Sequence, residues 1–467
     1  MITTPYRYKV LVVLCSLAFL TYLDRICIMR VQGDIERDLG LTQLSPNDEA
    51  TLRARGQEND ANAREKLSRD RATQRMSWIF SAFVAGYVLF EVPGGWLGDR
   101  YGARRVIFRI VLCWSVLTAA TGGVRGIASL ITSNPGPLQW LGIMVAVRFL
   151  FGVGEAGAYP NIARSLGRWF PFRERASAQS FVWLASRLGG AVAPALIGFL
   201  IVAAGNWERA FWILGIAGVV WATGFFFWFR DRPEDQPLVD AAEREQIRGA
   251  RGELGSIYDD DATSAPFAWT QLLSPNVLAL CLVSFCVSFC FYFYITFLPK
   301  YLKEEFQFDY SKSEWITGLP LLAGGLSCLL GGFLSDFAIG RMGSKRWGRR
   351  MAPLVGWTAA GLCALTVSFL HSATAVVVLI VVAFAFQDLG VPSMWSLPAD
   401  IGGRFAGTVG GWMNAAGAIG GMLSPLVAAN VATSKGWNAT FVVFGAVYLV
   451  GAAAWLRVDA SQPIESG

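Results

Sequence analysis

Gly94-Gly95-Trp96-Leu97-Gly98-Asp99 returns 237 residues later as Gly331-Gly332-Phe333-Leu334-Ser335-Asp336. Each copy closes a long apolar run, and the first continues into Arg100-Tyr101-Gly102-Ala103-Arg104-Arg105. Two other pieces return at nearly the same spacing. Gly189-Gly190 with Pro194 comes back as Gly420-Gly421 with Pro425 after 231 residues, and Trp207, Phe211 and Gly215 come back as Trp437, Phe441 and Gly445 after 230. Chance is a poor explanation for three segments repeating at nearly one offset. The chain reads as two related halves, 1–229 and 276–467, joined by the polar stretch 230–275.

The halves are made of membrane-like material. Of 467 residues, 54% are apolar and 16% charged, with a mean hydropathy of +0.43. A soluble domain carries about 25% charged residues, and this chain lacks the charge to cover a soluble surface. A hydrocarbon core about 30 Å thick takes about 20 apolar residues in helix. Twelve runs suit that length: 8–33, 74–98, 104–124, 138–163, 174–203, 208–229, 276–300, 312–340, 351–371, 373–397, 404–433 and 436–457. The expected fold is an all-α membrane protein with twelve transmembrane helices in two pseudo-symmetric six-helix halves. The first run carries Asp24 and Arg25 and has no small-residue cleavage site, so it reads as a span and not as a cleaved signal.

Composition also excludes. The eight cysteines lie in apolar runs without a CxxC pair and read as small packing residues. A single histidine, His371, argues against a His-ligated zinc or haem. No nucleophile, metal cluster or GxxxxGK[ST] phosphate loop stands out, so the expectation is no enzyme, no cofactor, no metal and no ATP drive. The net charge of +6 sits in short loops, which is a membrane pattern and not a nucleic-acid one. Arg100, Arg104, Arg105 and Arg109 follow span 2, Arg164, Arg168, Arg173 and Arg175 follow span 4, and Arg341, Lys345, Arg346, Arg349 and Arg350 follow span 8. All three loops fall on one side, which the positive-inside rule makes cytoplasmic. Both termini then lie in the cytoplasm, the lipid bilayer is the surrounding partner, and loop 34–73 is a solvated outside cap. A cell (inner) membrane monomer is expected.

An ionisable residue at a helix centre facing lipid costs about 2.5–3.5 kcal/mol. Asp24, Arg25, Arg148, Glu155, Arg187 and Asp388 therefore face a watery cavity or one another. Arg148 and Glu155 are seven residues apart, about 20° short of two turns, and share one face about 10 Å apart. An arginine fork matches a carboxylate and keeps its charge. A carboxylate among apolar residues and glycine is a candidate to take up a proton. One helix thus presents an anion clamp and a proton site; the structural alternative for Glu155 is a salt bridge to Arg25 or Arg148. Asp24 and Arg25 are neighbours that point about 100° apart, so each needs another partner. The set Asp24, Arg25, Arg148, Glu155 and Arg187 sums to +1, or +2 once an acid is protonated. A proton and a carboxylate substrate then offset each other's burial, a physical basis for anion–proton symport. Arg187 suggests a second acidic or strongly polar group on the substrate, or else pairs with Asp388 or a backbone carbonyl. Tyr22, Tyr87, Tyr292, Tyr294 and Asn414 lie near the midplane and suit a polyol chain. Asp388 has no assigned role. Repeated helical halves with a site at the midplane are the architecture of alternating-access transporters.

Gly95-x-x-x-Asp99-Arg100-x-Gly102-x-Arg104-Arg105 resembles the loop 2–3 signature of the major facilitator superfamily, with a degenerate copy at Gly332 and Asp336. Two stretches resemble its anion:cation symporter family. One is Tyr22-Leu23-Asp24-Arg25. The other is Arg148-Phe149-Leu150-Phe151-Gly152-Val153-Gly154-Glu155-Ala156-Gly157-Ala158-Tyr159-Pro160, followed by Arg168-Trp169-Phe170-Pro171 and Arg173-x-Arg175-Ala176. The resemblance covers essentially the whole chain. It implies a secondary transporter that imports an organic anion, a sugar acid such as a hexuronate, galactonate or glucarate, with protons.

The resemblance also implies substrate contact for Arg25 and a place in the proton pathway for Asp24. The expected substrate-binding set is Tyr22, Arg25, Tyr87, Arg148, Arg187, Tyr292 and Asn414, with Asp24 and Glu155 coupling the proton. Asp99, beside Arg100, Arg104 and Arg105 and with Asp336 as its counterpart, is expected to tie the halves together on the cytoplasmic side and release for inward opening. Glu91 with Pro93 is expected to join that gate. Exposed pairs there would be weak, which suits a latch that must break. Sugar-acid members carry a polar uncharged residue near Arg187, so the extra cation sets this chain apart. A metabolite or drug antiporter of the same fold and a nutrient sensor that binds without flux are the alternatives.

Overall fold

The computed structural model describes residues 5–251, 267–306 and 315–464, and every regular element in them is a helix. Before residue 230 come α1 (Tyr6–Arg30), the short α2 (Gln32–Asp38) and α3 (Pro46–Ala54), and α4 (Ala61–Tyr101). They are followed by α5 (Ala103–Gly122), the short α6 (Val124–Ile131), α7 (Pro137–Glu155), α8 (Ala158–Trp169), α9 (Arg175–Ala204) and α10 (Trp207–Trp228). A polar α11 (Ala241–Arg251) precedes α12 (Pro275–Phe306), α13 (Trp315–Met342), α14 (Lys345–Val367), α15 (Ala373–Leu389), α16 (Val391–Gly402) and α17 (Ala406–Trp455).

Ten stretches are long and apolar enough to cross a membrane, and the last of them, Ala373–Trp455, has 83 residues. At 1.5 Å per residue that is about 125 Å, far more than one crossing. The 3-10 turn Gly403–Phe405 and the break at Gly436, where φ is 82°, fold it into three passes. All twelve expected passes are therefore present. Within them, spans 4 and 10 are each two helices, broken at Ala156–Gly157 and at Gly390. Helix α4 has 41 residues, about 60 Å and twice the core thickness, so its first turns project beyond the core toward α2 and α3. This is the cap expected of loop 34–73. The first residues of the expected span 8 and part of the linker, 252–266, lie outside the described residues.

In the first half α1 packs on α9, α4 on α7 and α5 on α10; in the second, α17 packs on α12 and α14, and α13 on α15. Among the crossings that join the halves are α4 on α17 and α9 on α13. Both use bare backbone from the repeated motif. A Cβ on Gly95 would stand 2.0 Å from the Gly407 carbonyl oxygen, and one on Gly332 would stand 2.6 Å from the Ala176 carbonyl oxygen. Gly157, at φ +87°, breaks span 4 where α4 passes against it: a Cβ there would meet the Gly94 carbonyl carbon at 2.6 Å. The linker also folds back. Glu243 accepts from the Tyr6 and Arg7 backbone N–H groups at 2.8 and 3.0 Å, supplying partners at the start of α1 where the helix has none of its own.

Candidate functional site

Helices from both halves converge on a cavity of about 110 Å³. Tyr22, Arg25, Tyr87, Arg187, Tyr292 and Asn414 line it, which brings together every expected substrate contact but one. Arg148 is not in the lining. It is buried on α7, its guanidinium 5.1 Å from the Phe151 ring and opposed electrostatically by Asp24, with Nε and Nη2 lacking hydrogen-bond partners. The shared face of Arg148 and Glu155 thus does not make one clamp.

Each cation of the cavity wall has a carboxylate. Arg25 Nε donates to Glu155 Oε1 at 2.5 Å, with the guanidinium 4.4 Å over the Tyr87 ring. Arg187 Nη2 donates to Asp388 Oδ2 at 2.6 Å, with the guanidinium 4.6 Å over Phe291. These are the structural alternatives that the sequence left open for Glu155 and Arg187. They also give Asp388 a partner. The sequence sum of +1 covered the first half alone, and Asp388 from the second half adds one negative charge to it. Both pairs are single contacts that leave donors over. Arg25 Nη2, Arg187 Nε and the lining Trp183 Nε1 are buried without a hydrogen-bond partner.

An aromatic wall that the sequence did not single out completes the site. Tyr159 stacks on Trp183 at 5.1 Å, and both meet Trp395 of the other half at 5.6 and 5.5 Å. The Tyr159 hydroxyl is 2.8 Å from Ser186 Oγ. Tyr159 lies within the Arg148–Pro160 stretch, so its location was legible although its role was not; Trp183 and Trp395 lie outside every stretch that the sequence singled out.

Glu91 is not in the basic-face cluster. Its carboxylate accepts from Asn414 Nδ2 at 2.6 Å, from the Gly157 backbone N–H at 3.0 Å and from the Tyr87 hydroxyl at 3.4 Å. The reason is helical rise. Glu91 precedes Asp99 by eight residues on one helix, about 12 Å deeper toward the cavity. It adds a buried acid beside the cavity and an inter-half contact through Asn414.

On the basic face Asp99 accepts from Arg164 Nε at 3.0 Å, from the Gly407 and Thr408 backbone N–H groups at 2.9 and 2.6 Å, and from the Thr408 hydroxyl at 2.7 Å. Asp336 repeats the pattern, accepting from the Ala176 and Ser177 backbone N–H groups at 3.4 and 2.7 Å, the Ser177 hydroxyl at 2.7 Å and Arg349 at 2.6 Å. Asp400 accepts from both Arg175 and Arg349, at 2.9 and 2.8 Å. Each repeated aspartate therefore binds the start of a helix in the opposite half, where free N–H groups and the helix dipole favour an anion.

The expected neighbours of Asp99 line one recess with it but bond other groups. Arg104 donates to the Phe226 carbonyl and Asp231, Arg100 lies over the Trp96 and Tyr101 rings, and Arg105 lines a surface recess. The pairs are also buried and not exposed: Arg164 and Asp99 are 2% and 3% accessible. Removing one partner of such a pair would strand a buried charge, a cost that exposed pairs do not carry.

The Major Facilitator Superfamily family model matches residues 14–425 and 337–466. The chain is similar to the probable sulfoacetate transporter SauU of Cupriavidus necator, 31% identical over 98% of this chain and 95% of the relative. It is also similar to the D-galactonate transporter of Escherichia coli, 27% identical over 96% of this chain and 95% of the relative. The crystal structure of the human organic anion transporter MFSD10 (TETRAN) aligns with a TM-score of 0.67 at 18% identity, over 97% of this chain and 100% of that one, which speaks to the fold. The twelve passes and the repeated glycine–aspartate motif at the crossings agree with the match along the chain, which belongs to the Major Facilitator Superfamily, a family of membrane transporters and not of enzymes.

Proposed function

We propose that the protein imports an organic anion with protons, by alternating access of halves 1–229 and 276–467 in a cell (inner) membrane, with its basic face and both termini cytoplasmic. One observation carries the anion reading. Among the described residues, the buried cavity-lining atoms that lack a partner, Arg25 Nη2, Trp183 Nε1 and Arg187 Nε, are all N–H donors. Buried groups are ordinarily paired, and a wall short only of acceptors calls for a ligand rich in them. The curated relatives named for sulfoacetate and galactonate agree on an organic acid.

Charge supports the coupling. Arg25, Arg148 and Arg187 face four acids, Asp24, Glu91, Glu155 and Asp388, so the fully ionised set is already −1. An anion entering alone would add negative charge to a site with little water to screen it. A proton taken with the substrate removes that penalty. Glu155, bonded to substrate-facing Arg25, is the acid best placed to exchange its arginine for a proton, with Asp24 beside Arg148 as the second. Asp99 and Asp336, each bound to the opposite half, act as the cytoplasmic gate that must release for inward opening.

Uptake of labelled sulfoacetate and galactonate into liposomes with an alkaline interior tests this. Accumulation that a protonophore abolishes is expected. Uptake that follows a sodium gradient and ignores the protonophore would refute proton coupling, and binding without flux would favour a sensor. For orientation, Asn59→Cys in a Cys-free background should react with an impermeant thiol reagent in intact cells, and Ser344→Cys only after lysis. Equal labelling from outside would reverse the topology.

A further inference from the structure

The two cations of the cavity wall differ in where their carboxylates come from. Arg25 on α1 is held by Glu155 on α7, both in the first half. Arg187 on α9 is held by Asp388 on α15, so this pair spans the two halves through the cavity wall itself. Like Arg25, Arg187 makes a single hydrogen bond, from Nη2 at 2.6 Å, and its Nε is buried and unpaired. A guanidinium offers five N–H donors in a planar fork that a carboxylate or sulfonate can engage through two oxygens. A one-point contact with an adjacent idle donor is therefore one that a bidentate acid group outcompetes.

Asp388 is built to let go. Its other oxygen, Oδ1, accepts from Gln387 Nε2 at 3.2 Å, and Gln387 is itself held by the Tyr448 hydroxyl. Its Oδ2 rests where a Cβ on Gly324 of α13 would approach to 2.6 Å, so that carboxylate position is kept open by a bare backbone. Losing Arg187 would leave Asp388 one polar partner and a fixed place, and would leave the arginine free to turn its fork to a ligand.

We propose that the Arg187–Asp388 pair is a tie between the halves that substrate competes away: the substrate carries two acidic groups, one seated at Arg25 and the other taking Asp388's place on Arg187. This rests on the organic-anion reading and deepens it. The substrate class is a two-headed anion, and Asp388 is a positioning residue that sets specificity through Arg187. Because the pair links the two halves, a ligand with one acidic group would leave the tie intact, whereas one with two would break it. Selection and release of the halves would then be one event.

The test compares acids that differ in one head group, on the purified full chain. D-galactarate has a carboxylate at both ends of a six-carbon chain and D-galactonate at one; sulfoacetate and acetate make a shorter pair. Affinities are read by calorimetry. In the parent protein at least one two-headed acid should bind roughly ten- to hundred-fold more tightly than its one-headed counterpart, the worth of a charge-assisted contact. Arg187→Gln should erase that ratio, the two-headed acid losing far more affinity than the one-headed one.

Asp388→Asn removes the internal competitor and should tighten the two-headed acid more than the one-headed one, whereas loss of a wall charge alone would tighten both alike and overturn the competition. Should Asp388→Asn fail to fold with Arg187 stranded, the double variant Arg187→Gln with Asp388→Asn strands no charge and should fold with the ratio erased. Equal binding of one-headed and two-headed acids by the parent would overturn this inference and leave the organic-anion reading standing. No binding of any of the four acids would overturn both. A ratio that survives Arg187→Gln, or Asp388→Asn weakening both acid classes alike, would assign the pair to structure alone.

Discussion

Arginine–carboxylate pairs occupy two layers of this molecule, and their hydrogen-bond saturation separates them. On the basic face Asp99 and Asp336 each accept four hydrogen bonds and Asp400 accepts two arginines. Around the cavity Arg25 and Arg187 make one contact each and leave buried donors idle. The saturated layer spends its polar groups on itself, which favours one closed arrangement. The unsaturated layer leaves donors of the cavity lining unpaired, which favours a ligand that brings acceptors. Both layers bury charge, so burial alone does not tell a lock from a binding site; counting unpaired donors does.

That contrast breaks first, if it breaks, at Asp400. Asp400→Ala takes away the acceptor shared by Arg175 and Arg349, and removing one member of a buried pair costs about 3–5 kcal/mol. We expect a large fall in the thermal unfolding midpoint and in folded yield, against a smaller one for Asp388→Asn, which leaves one arginine without its carboxylate where Asp400→Ala leaves two. Equal losses at the two sites would mean that the layers do not differ as described. Next in size is Asp99→Asn, which keeps the side chain's shape and removes its charge. Weakening one charged contact to Gly407, Thr408 or Arg164 is worth about 1.5–3 kcal/mol, or roughly ten- to hundred-fold in the population open on the basic face. A cavity reporter, Ser288→Cys in a Cys-free background, should label faster from that face. Asp336→Asn should match it within about threefold, because the repeat gives it the same contacts. A strong effect at one aspartate and none at the other would end the two-fold equivalence of the latch.

The latch and the cavity were not equally legible in the sequence. Apolar length located all twelve passes, and the offset between Gly94–Asp99 and Gly331–Asp336 located the two halves; that the same glycines sit at the helix crossings came from the structure. Arg25 and Arg187 were legible as well: a charge in an apolar run has few places to go. What stayed hidden was pairing. Asp99 binds Thr408, 309 residues away, and no local periodicity relates the two. The three basic residues nearest to it in sequence looked like its partners and face other groups. Glu91 was misplaced by its motif, although counting eight residues of helical rise from Asp99 would have put it beside the cavity. Arg148 was drawn into the substrate set by sharing a helix face with Glu155. Nothing in that spacing says that α7 turns Arg148 toward Asp24 and away from the cavity.

Coupling sharpens the comparison inside the unsaturated layer. Glu155→Gln keeps an acceptor for Arg25 and removes the titrating group. Anion binding should persist within a fewfold and counterflow exchange should survive. Accumulation under a pH gradient, up to about tenfold per pH unit for one proton, should fall to equilibration, since tenfold corresponds to about 1.4 kcal/mol. If Glu155→Gln still concentrates substrate, the coupling acid is another member of the set, and Asp24→Asn is the variant to measure beside it.

The smallest expected effect lies in the outside cap, which shows a saturated carboxylate without any inter-half duty. Asp48 on α3 is 2% accessible and accepts from the Ser45 backbone N–H at 2.9 Å, the Ser45 hydroxyl at 2.7 Å and Arg71 Nε at 2.6 Å. Burial pushes its pKa up, but the Ser45 amide and hydroxyl together with Arg71 outweigh burial and hold the carboxyl below its ordinary value. A depressed folded-state value means that the ionised form is favoured in the fold. Its contribution is complete above the unfolded value, about pH 4, and is lost as pH falls through the lower folded value. Asp48→Asn disrupts a capping box and should weaken the cap by about 1 kcal/mol at neutral pH. Limited proteolysis between Ser45 and Asp60 should speed up accordingly, roughly fivefold, with transport unchanged. The difference between parent and variant should shrink as the assay is moved below about pH 4, because the parent then loses what the variant already lacks. A difference that keeps its size in acid would mean that shape and not charge holds Asp48 in place. A loss of transport at neutral pH would tie the cap to the alternating halves after all.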